Sequence, residues 1–292
     1  MRRIRTIAVL PTLFTLGNLV CGFFAIVVAA RIQAPTSAEV PTAVAIQFQN
    51  NPVGVLTQLD STDPTHNAVL CAWLIFLAMI FDALDGQVAR LARVTSDFGA
   101  QLDSLCDAVT FGVAPAILLV KMCPTFSYLH REGVWIIAAT FAACAALRLA
   151  RFNVETGEDD DHLHFNGLPT PAAAAAIAAM AIMFYTLRKD SNALAYAAQI
   201  DLWMQRILPF FALLVAMLMV SRIPYPHVVN QLLTGHRSFG HVVGLVFSLV
   251  AVMLIWGYSV PILCGIFVLG PPLRYAVTQF QRRRLEENEP MF

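Results

Sequence analysis

The stretch Asp82-Ala83-Leu84-Asp85-Gly86-Gln87-Val88-Ala89-Arg90, followed by Gly99-Ala100-Gln101-Leu102-Asp103-Ser104-Leu105-Cys106-Asp107, decides how this chain is read. Apolar runs lie on both sides of it. A carboxylate near a bilayer is expensive unless it faces a polar cavity, a partner or a metal. Regularly spaced aspartates within such runs therefore point to a reaction centre for which the membrane is the setting.

Composition supports the membrane. The chain has 292 residues, 58% hydrophobic and 13% charged, against about 25% charged in a soluble domain. Zero net formal charge gives no global basic field for nucleic acid. The six cysteines (Cys21, Cys71, Cys106, Cys123, Cys144 and Cys264) lack paired ligand spacing and read as small hydrophobes. Eight candidate spans follow from hydropathy: 12–30, 68–84, 102–120, 134–149, 172–187, 207–220, 239–256 and 259–272. The expected fold class is thus all-α and polytopic, with about eight transmembrane helices. The fifth span, alanine-rich from Ala172 to Ala181, should pack closely on its neighbours. The last two spans also fit one re-entrant pair.

Arg2, Arg3 and Arg5 resemble the start of a signal segment, but the apolar run continues to Ala30 without a persuasive cleavage site. It reads as a retained first span, with Leu10 to Phe14 lying along the interface before the helix turns in. Residues 31–67, with Pro35, Pro41, Pro52 and Pro64, read as an irregular polar link. The end of the chain, 279–292, reads as a solvated cytoplasmic tail. With both termini in the cytoplasm, 13 basic residues fall on that side and 6 on the other. That bias supports eight crossings and puts the aspartates at the cytoplasmic face.

Asp82 and Asp85 are three apart, and Asp103 and Asp107 four apart, so each pair presents to one helix face. The expected arrangement is two antiparallel helices whose carboxylates converge near their cytoplasmic ends. At mid-helix each aspartate would cost about 3 kcal/mol. A position at the boundary and bound divalent cations reduce that cost. Oxygen-only ligands suit two Mg2+ or Mn2+ ions, which can bridge phosphate oxygens and stabilise charge developing at phosphorus. Arg90 can clamp a phosphate, and Gly86 lets a bulky ligand approach the backbone. The same spacing also fits a structural ion-pair network or a cation pathway in a cation-coupled transporter. A transporter, however, distributes its polar groups near mid-membrane.

The pattern D-x2-D-G-x2-A-R-x8-G-x3-D-x3-D is filled by Asp82, Asp85, Gly86, Ala89, Arg90, Gly99, Asp103 and Asp107. It resembles the signature of the CDP-alcohol phosphatidyltransferases at every fixed position. The resemblance implies a helical membrane core that binds a CDP-linked lipid and two divalent cations, Mg2+ or Mn2+, while an alcohol displaces CMP. It implies Asp82, Asp85, Asp103 and Asp107 as metal ligands, with Asp107 also the general base. Gly86, Ala89 and Arg90 would lie against CDP, with Asn18 on the same side. The amide of Asn18 equally suits a helix–helix bond.

Three further segments resemble the phosphatidylserine synthase branch: Thr15 to Gly22, Arg148-Leu149-Ala150-Arg151-Phe152-Asn153, and Phe165-Asn166-Gly167-Leu168-Pro169-Thr170-Pro171. That branch implies CDP-diacylglycerol and L-serine as substrates, giving phosphatidylserine and CMP. Arg148, Arg151 and Asn153 would then bind the acceptor, although boundary arginines also serve as topology anchors. The rival acceptors are glycerol 3-phosphate and an inositol phosphate, whose phosphate should require more basic residues. The proline-containing turn before the fifth span reads as scaffold. The acidic loop 155–162 reads as solvated, and His162 and His164 imply no metal geometry. No serine or cysteine nucleophile is paired with a base in the motif, so direct attack is the simpler route. The resulting division is a phosphatidyltransferase membrane domain over 1–225, further membrane helices over 226–278 and the tail over 279–292. An integral protein of the cytoplasmic (inner) membrane is expected, its active site facing the cytoplasm. A homodimer follows from the resemblance alone.

Overall fold

The computed structural model describes residues 9–32, 64–92, 97–123, 131–155, 165–189, 194–225 and 256–287. The architecture is helical: α1 (Val9–Ala30), α2 (Pro64–Ala92), α3 (Asp97–Asp107), a π-helical turn (Ala108–Val113), α4 (Ala114–Met122), α5 (Arg131–Glu155), α6 (Thr170–Lys189), α7 (Leu194–Val220) and α8 (Trp256–Glu287). Among the described residues, seven helical stretches are long and apolar enough to cross a membrane, α3 to α4 forming one of them. They match seven of the eight expected spans. The remaining one, 239–256, lies almost wholly outside the described residues, as does most of the link over 31–67.

Several boundaries differ from expectation. Helix α1 runs unbroken from Val9, so Leu10 to Phe14 continue the span; Pro11 sits in the first turn, where its missing N–H costs nothing. The second span opens earlier, at Pro64, for the same reason. Helix α8 continues to Glu287, so most of the expected tail extends the last helix.

The side chains are sorted as a bilayer requires. Large apolar groups point outward, among them Phe23, Trp135, Ile136, Ile207, Phe210 and Met217. Small ones fill the interior: Ala173, Ala174, Ala176, Ala178 and Ala179 of α6 are all fully buried. With no hydrophobic gain from leaving lipid, helices associate through close packing, which alanine permits. Helix α6 accordingly packs against α2, α7 and α8. The chain is an integral membrane protein.

Polar contacts identify the two ends of the bundle. Lys121, at the end of α4, donates to the carbonyls of Ala30 and Ile32 at the end of α1. At the opposite end, β1 (Phe165–Asn166) pairs antiparallel with β2 (Pro224–Tyr225). Gly167 follows with φ +92°, and a Cβ there would strike the carbonyls of Met219 and Ser221. The Gly167 and Leu168 amides donate to Ile223 and Leu218 at 2.9 and 3.0 Å. This turn therefore sets where α6 begins, as expected of a scaffold.

The Tyr225 side chain ties α8 to that end. Pro272 has no N–H, so the carbonyl of Val268, four residues earlier, lacks its helical donor. The Tyr225 hydroxyl donates to that carbonyl at 3.0 Å. Burial pushes the Tyr225 phenol up to about 12, which keeps the donor protonated. Tyr225→Phe should therefore lower stability by about 1–3 kcal/mol in mild detergent, the penalty of an orphaned buried acceptor. Adding Pro272→Ala, which returns an N–H to Val268, should recover most of the loss. Equal stability of Tyr225→Phe and the unaltered chain would refute this account of how α8 is held.

Candidate active site

The site lies at the β1–β2 end of the bundle. Asp82 comes from α2, and Asp103 and Asp107 from α3, one turn apart. One carboxylate oxygen from each lies within 4.8 Å of the other two. The expected convergence of carboxylates from two helices is therefore found for three of the four aspartates. Asp85 is buried and accepts a hydrogen bond from Thr15 of α1. It stays within electrostatic range of Asp103 and Asp107.

Helix α1 supplies a second bond to the cluster. Asn18, fully buried, donates through Nδ2 to Asp107 Oδ1 at 2.9 Å. This bond links two helices at the carboxylate site, as the helix–helix alternative for its amide expects. From α5, Arg148 donates to the Thr170 hydroxyl at 2.7 Å. Asn153 accepts from Ser104 at 3.1 Å, which ties the end of α5 to the residue after Asp103. Arg151 is half-buried on α5. Gly86 sits on α2 one turn beyond Asp82; Ala89 and Arg90 continue that helix, and their side chains lie outside what is described.

Three like charges this close repel by about 3 kcal/mol per pair at an effective dielectric constant near 20. Asp103 Oδ1 is buried with no hydrogen-bond partner among the described residues. A buried carboxylate oxygen without a partner is costly, and a cation between the three groups offsets both terms. Opposite oxygens around one Mg2+ lie about 4.2 Å apart, comparable with the spacing seen. The donor set is all oxygen, as hard divalent cations prefer. The residues fit a divalent metal.

Thr15, Ser104, Thr110 and Thr170 were not singled out from sequence. A signal existed for one of them. Thr15, Asn18 and Gly22 follow an i, i+3, i+7 spacing, which marks one face of an otherwise apolar helix.

The model of the CDP-alcohol phosphatidyltransferase family matches residues 8–218. Among curated proteins, the Helicobacter pylori protein named CDP-diacylglycerol–serine O-phosphatidyltransferase is 35% identical over 170 residues, covering 56% of this chain and 63% of its own length. A Methanocaldococcus jannaschii protein of the same name is 36% identical over 159 residues, 54% of this chain and 65% of its own. An archaetidylserine synthase of Methanothermobacter thermautotrophicus is 36% identical over 185 residues, 63% of this chain and 68% of its own. The chain thus spans slightly under two thirds of the length of the first two.

If the cluster is built to hold a cation, Asp103→Asn has opposite effects with and without metal. In chelator the variant should melt at a higher temperature than the unaltered protein, because the repulsion of Asp103 with Asp82, Asp85 and Asp107 is gone. Its Mn2+ affinity should fall by about tenfold or more. A variant that melts lower in chelator and binds Mn2+ normally would contradict the assignment.

Proposed function

The chain belongs to the CDP-alcohol phosphatidyltransferase family, and on that footing we propose that it transfers the phosphatidyl group of CDP-diacylglycerol to the hydroxyl of L-serine. The products are phosphatidylserine and CMP. The observation that carries this reading is the convergence of Asp82, Asp103 and Asp107. The names of the relatives, two of them serine phosphatidyltransferases and one an archaetidylserine synthase, support serine as acceptor. Family membership sets aside the transporter reading.

In this proposal Asp82, Asp85, Asp103 and Asp107 hold two divalent cations, Mg2+ or Mn2+. When bound, the ions supply positive charge against the pyrophosphate oxygens and against the charge that grows at phosphorus. Asp107 accepts the proton of the serine hydroxyl as its oxygen attacks. The new bond joins that oxygen to the lipid-bearing phosphorus, the bond from phosphorus to the CMP oxygen breaks, and CMP leaves. Gly86, Ala89 and Arg90 line the CDP side, with Asn18 on the same side, bonded to Asp107. Arg148 and Arg151 match the serine carboxylate, and Asn153 borders the same approach.

The setting follows from the substrates. The acyl chains remain in hydrocarbon while the head group meets the aspartates at the bundle end. Arg148, Arg151, Arg222 and Arg274 belong to that end, so the basic-residue bias orients it toward the cytoplasm. We accordingly assign the protein to the cytoplasmic membrane. Residues 1–225 form the phosphatidyltransferase domain in this reading, and α8 (Trp256–Glu287) follows it. A homodimer belongs to the same reading on family grounds.

The test is acceptor choice. Purified protein with labelled CDP-diacylglycerol and Mn2+ should release CMP with serine and not with glycerol 3-phosphate or inositol phosphate. Release with glycerol 3-phosphate alone would overturn the serine assignment. Arg148→Gln should raise KM for serine by about 10- to 100-fold, the worth of a charge-assisted hydrogen bond, and leave KM for the lipid nearly unchanged.

A further inference from the structure

The polar face of α1 has a structural logic that the reaction by itself does not require. Gly22 lies one turn beyond Asn18 and faces Thr110 in the π-helical turn. A Cβ at Gly22 would overlap the Thr110 hydroxyl, its Cβ and its Cα. Only glycine leaves the notch into which Thr110 fits. Through that notch the Thr110 hydroxyl donates to the backbone carbonyl of Asn18 at 3.3 Å. The side chain of the same asparagine donates to Asp107 Oδ1 at 2.9 Å.

The result is a closed ring between two segments. Asp107 and Thr110 are three residues apart, on either side of the point where α-helix becomes π-helix. Asn18 is held at its backbone by one and bonded at its side chain to the other. Thr110 and Asn18 are both fully buried, so solvent does not compete for these bonds. Asn18 Oδ1 has no hydrogen-bond partner among the described residues. The bond to Asp107 is therefore the one described contact that orients this amide. Single π-helical turns are frequent at functional sites, and a buried polar atom without a partner calls for a reason.

We infer that Gly22, Thr110 and Asn18 are positioning residues that fix the orientation of Asp107 and, through it, the geometry of the cation site. Gly22 sets the approach of α1, Thr110 sets the height of Asn18 along that approach, and Asn18 holds one oxygen of Asp107. The inference rests on the cation-dependent reading of the site but not on which alcohol is the acceptor.

The test is Mn2+ binding to the full-length protein in detergent, read as free Mn2+ by electron paramagnetic resonance. Helical content and monodispersity are checked for each variant. Asn18→Leu and Thr110→Val should each weaken Mn2+ binding by about 10- to 100-fold, the range for groups that orient metal ligands. Thr110→Ser, which keeps the hydroxyl, should bind as the unaltered protein does. The double variant Asn18→Leu/Thr110→Val should be no weaker than Asn18→Leu alone, because both changes break one relay. Gly22→Ala should weaken binding likewise; if it does not fold, the other variants decide. Normal Mn2+ affinity in folded Thr110→Val, or additive losses in the double variant, would overturn the relay. Failure of the serine assignment would appear separately, as absence of serine-dependent CMP release from an unaltered protein that still binds Mn2+.

Discussion

Mutual repulsion among carboxylates at the edge of a hydrocarbon slab is the constraint around which this protein is built. Asp82, Asp103 and Asp107 bring ligand oxygens within 4.8 Å of one another, where like charges in a low-dielectric setting push apart. Two helices left to themselves would separate their acidic faces. Here they are restrained from outside. Thr15 and Asn18 bond to Asp85 and Asp107 from α1, Ser104 ties α3 to the end of α5, and Arg148 ties α5 to Thr170 at the start of α6. The scaffold keeps together what electrostatics would scatter, and so preserves a site whose natural complement is a small, hard, doubly charged ion.

The rest of the bundle serves that restraint. Alanines in α6 let neighbouring helices come close without large side chains between them. The turn at Gly167 locks the start of α6 onto the end of α7, and Thr170 at the first position of α6 takes the hydrogen bond from Arg148. Packing and chemistry therefore meet in adjacent residues. The proposed substrate, a lipid whose tails stay in the bilayer and whose head group is a pyrophosphate, suits a site at one end of a helical bundle, since there hydrocarbon and water lie within one molecule's reach.

Much of this was legible in the chain. Hydropathy located seven of the spans found among the described residues, because twenty apolar residues have few other stable fates. The i, i+3 and i, i+4 spacing of the aspartates showed which side chains share a helix face. Spacing on two separate helices could not show that Asp85 turns toward Thr15 while the other three converge, because that depends on where α1 packs. Nor could it show the π-helical turn after Asp107, since Ala108 to Val113 carry no local signal for a widened turn. Within that turn Thr110 seats against Gly22, a contact separated by almost ninety residues of chain and so invisible to local sequence. The early start of α2 at Pro64 and the length of α8 were missed for a simpler reason. Polar residues can extend a helix beyond the membrane without changing its hydropathy signature.

The most direct test of the central claim is a structure of the protein with Mn2+ and CDP-diacylglycerol, with the metal located by its anomalous scattering. The account predicts Mn2+ between Asp82, Asp103 and Asp107, in contact with pyrophosphate oxygens. Carboxylates turned away from one another, with the lipid head group bound and no ion between them, would contradict it.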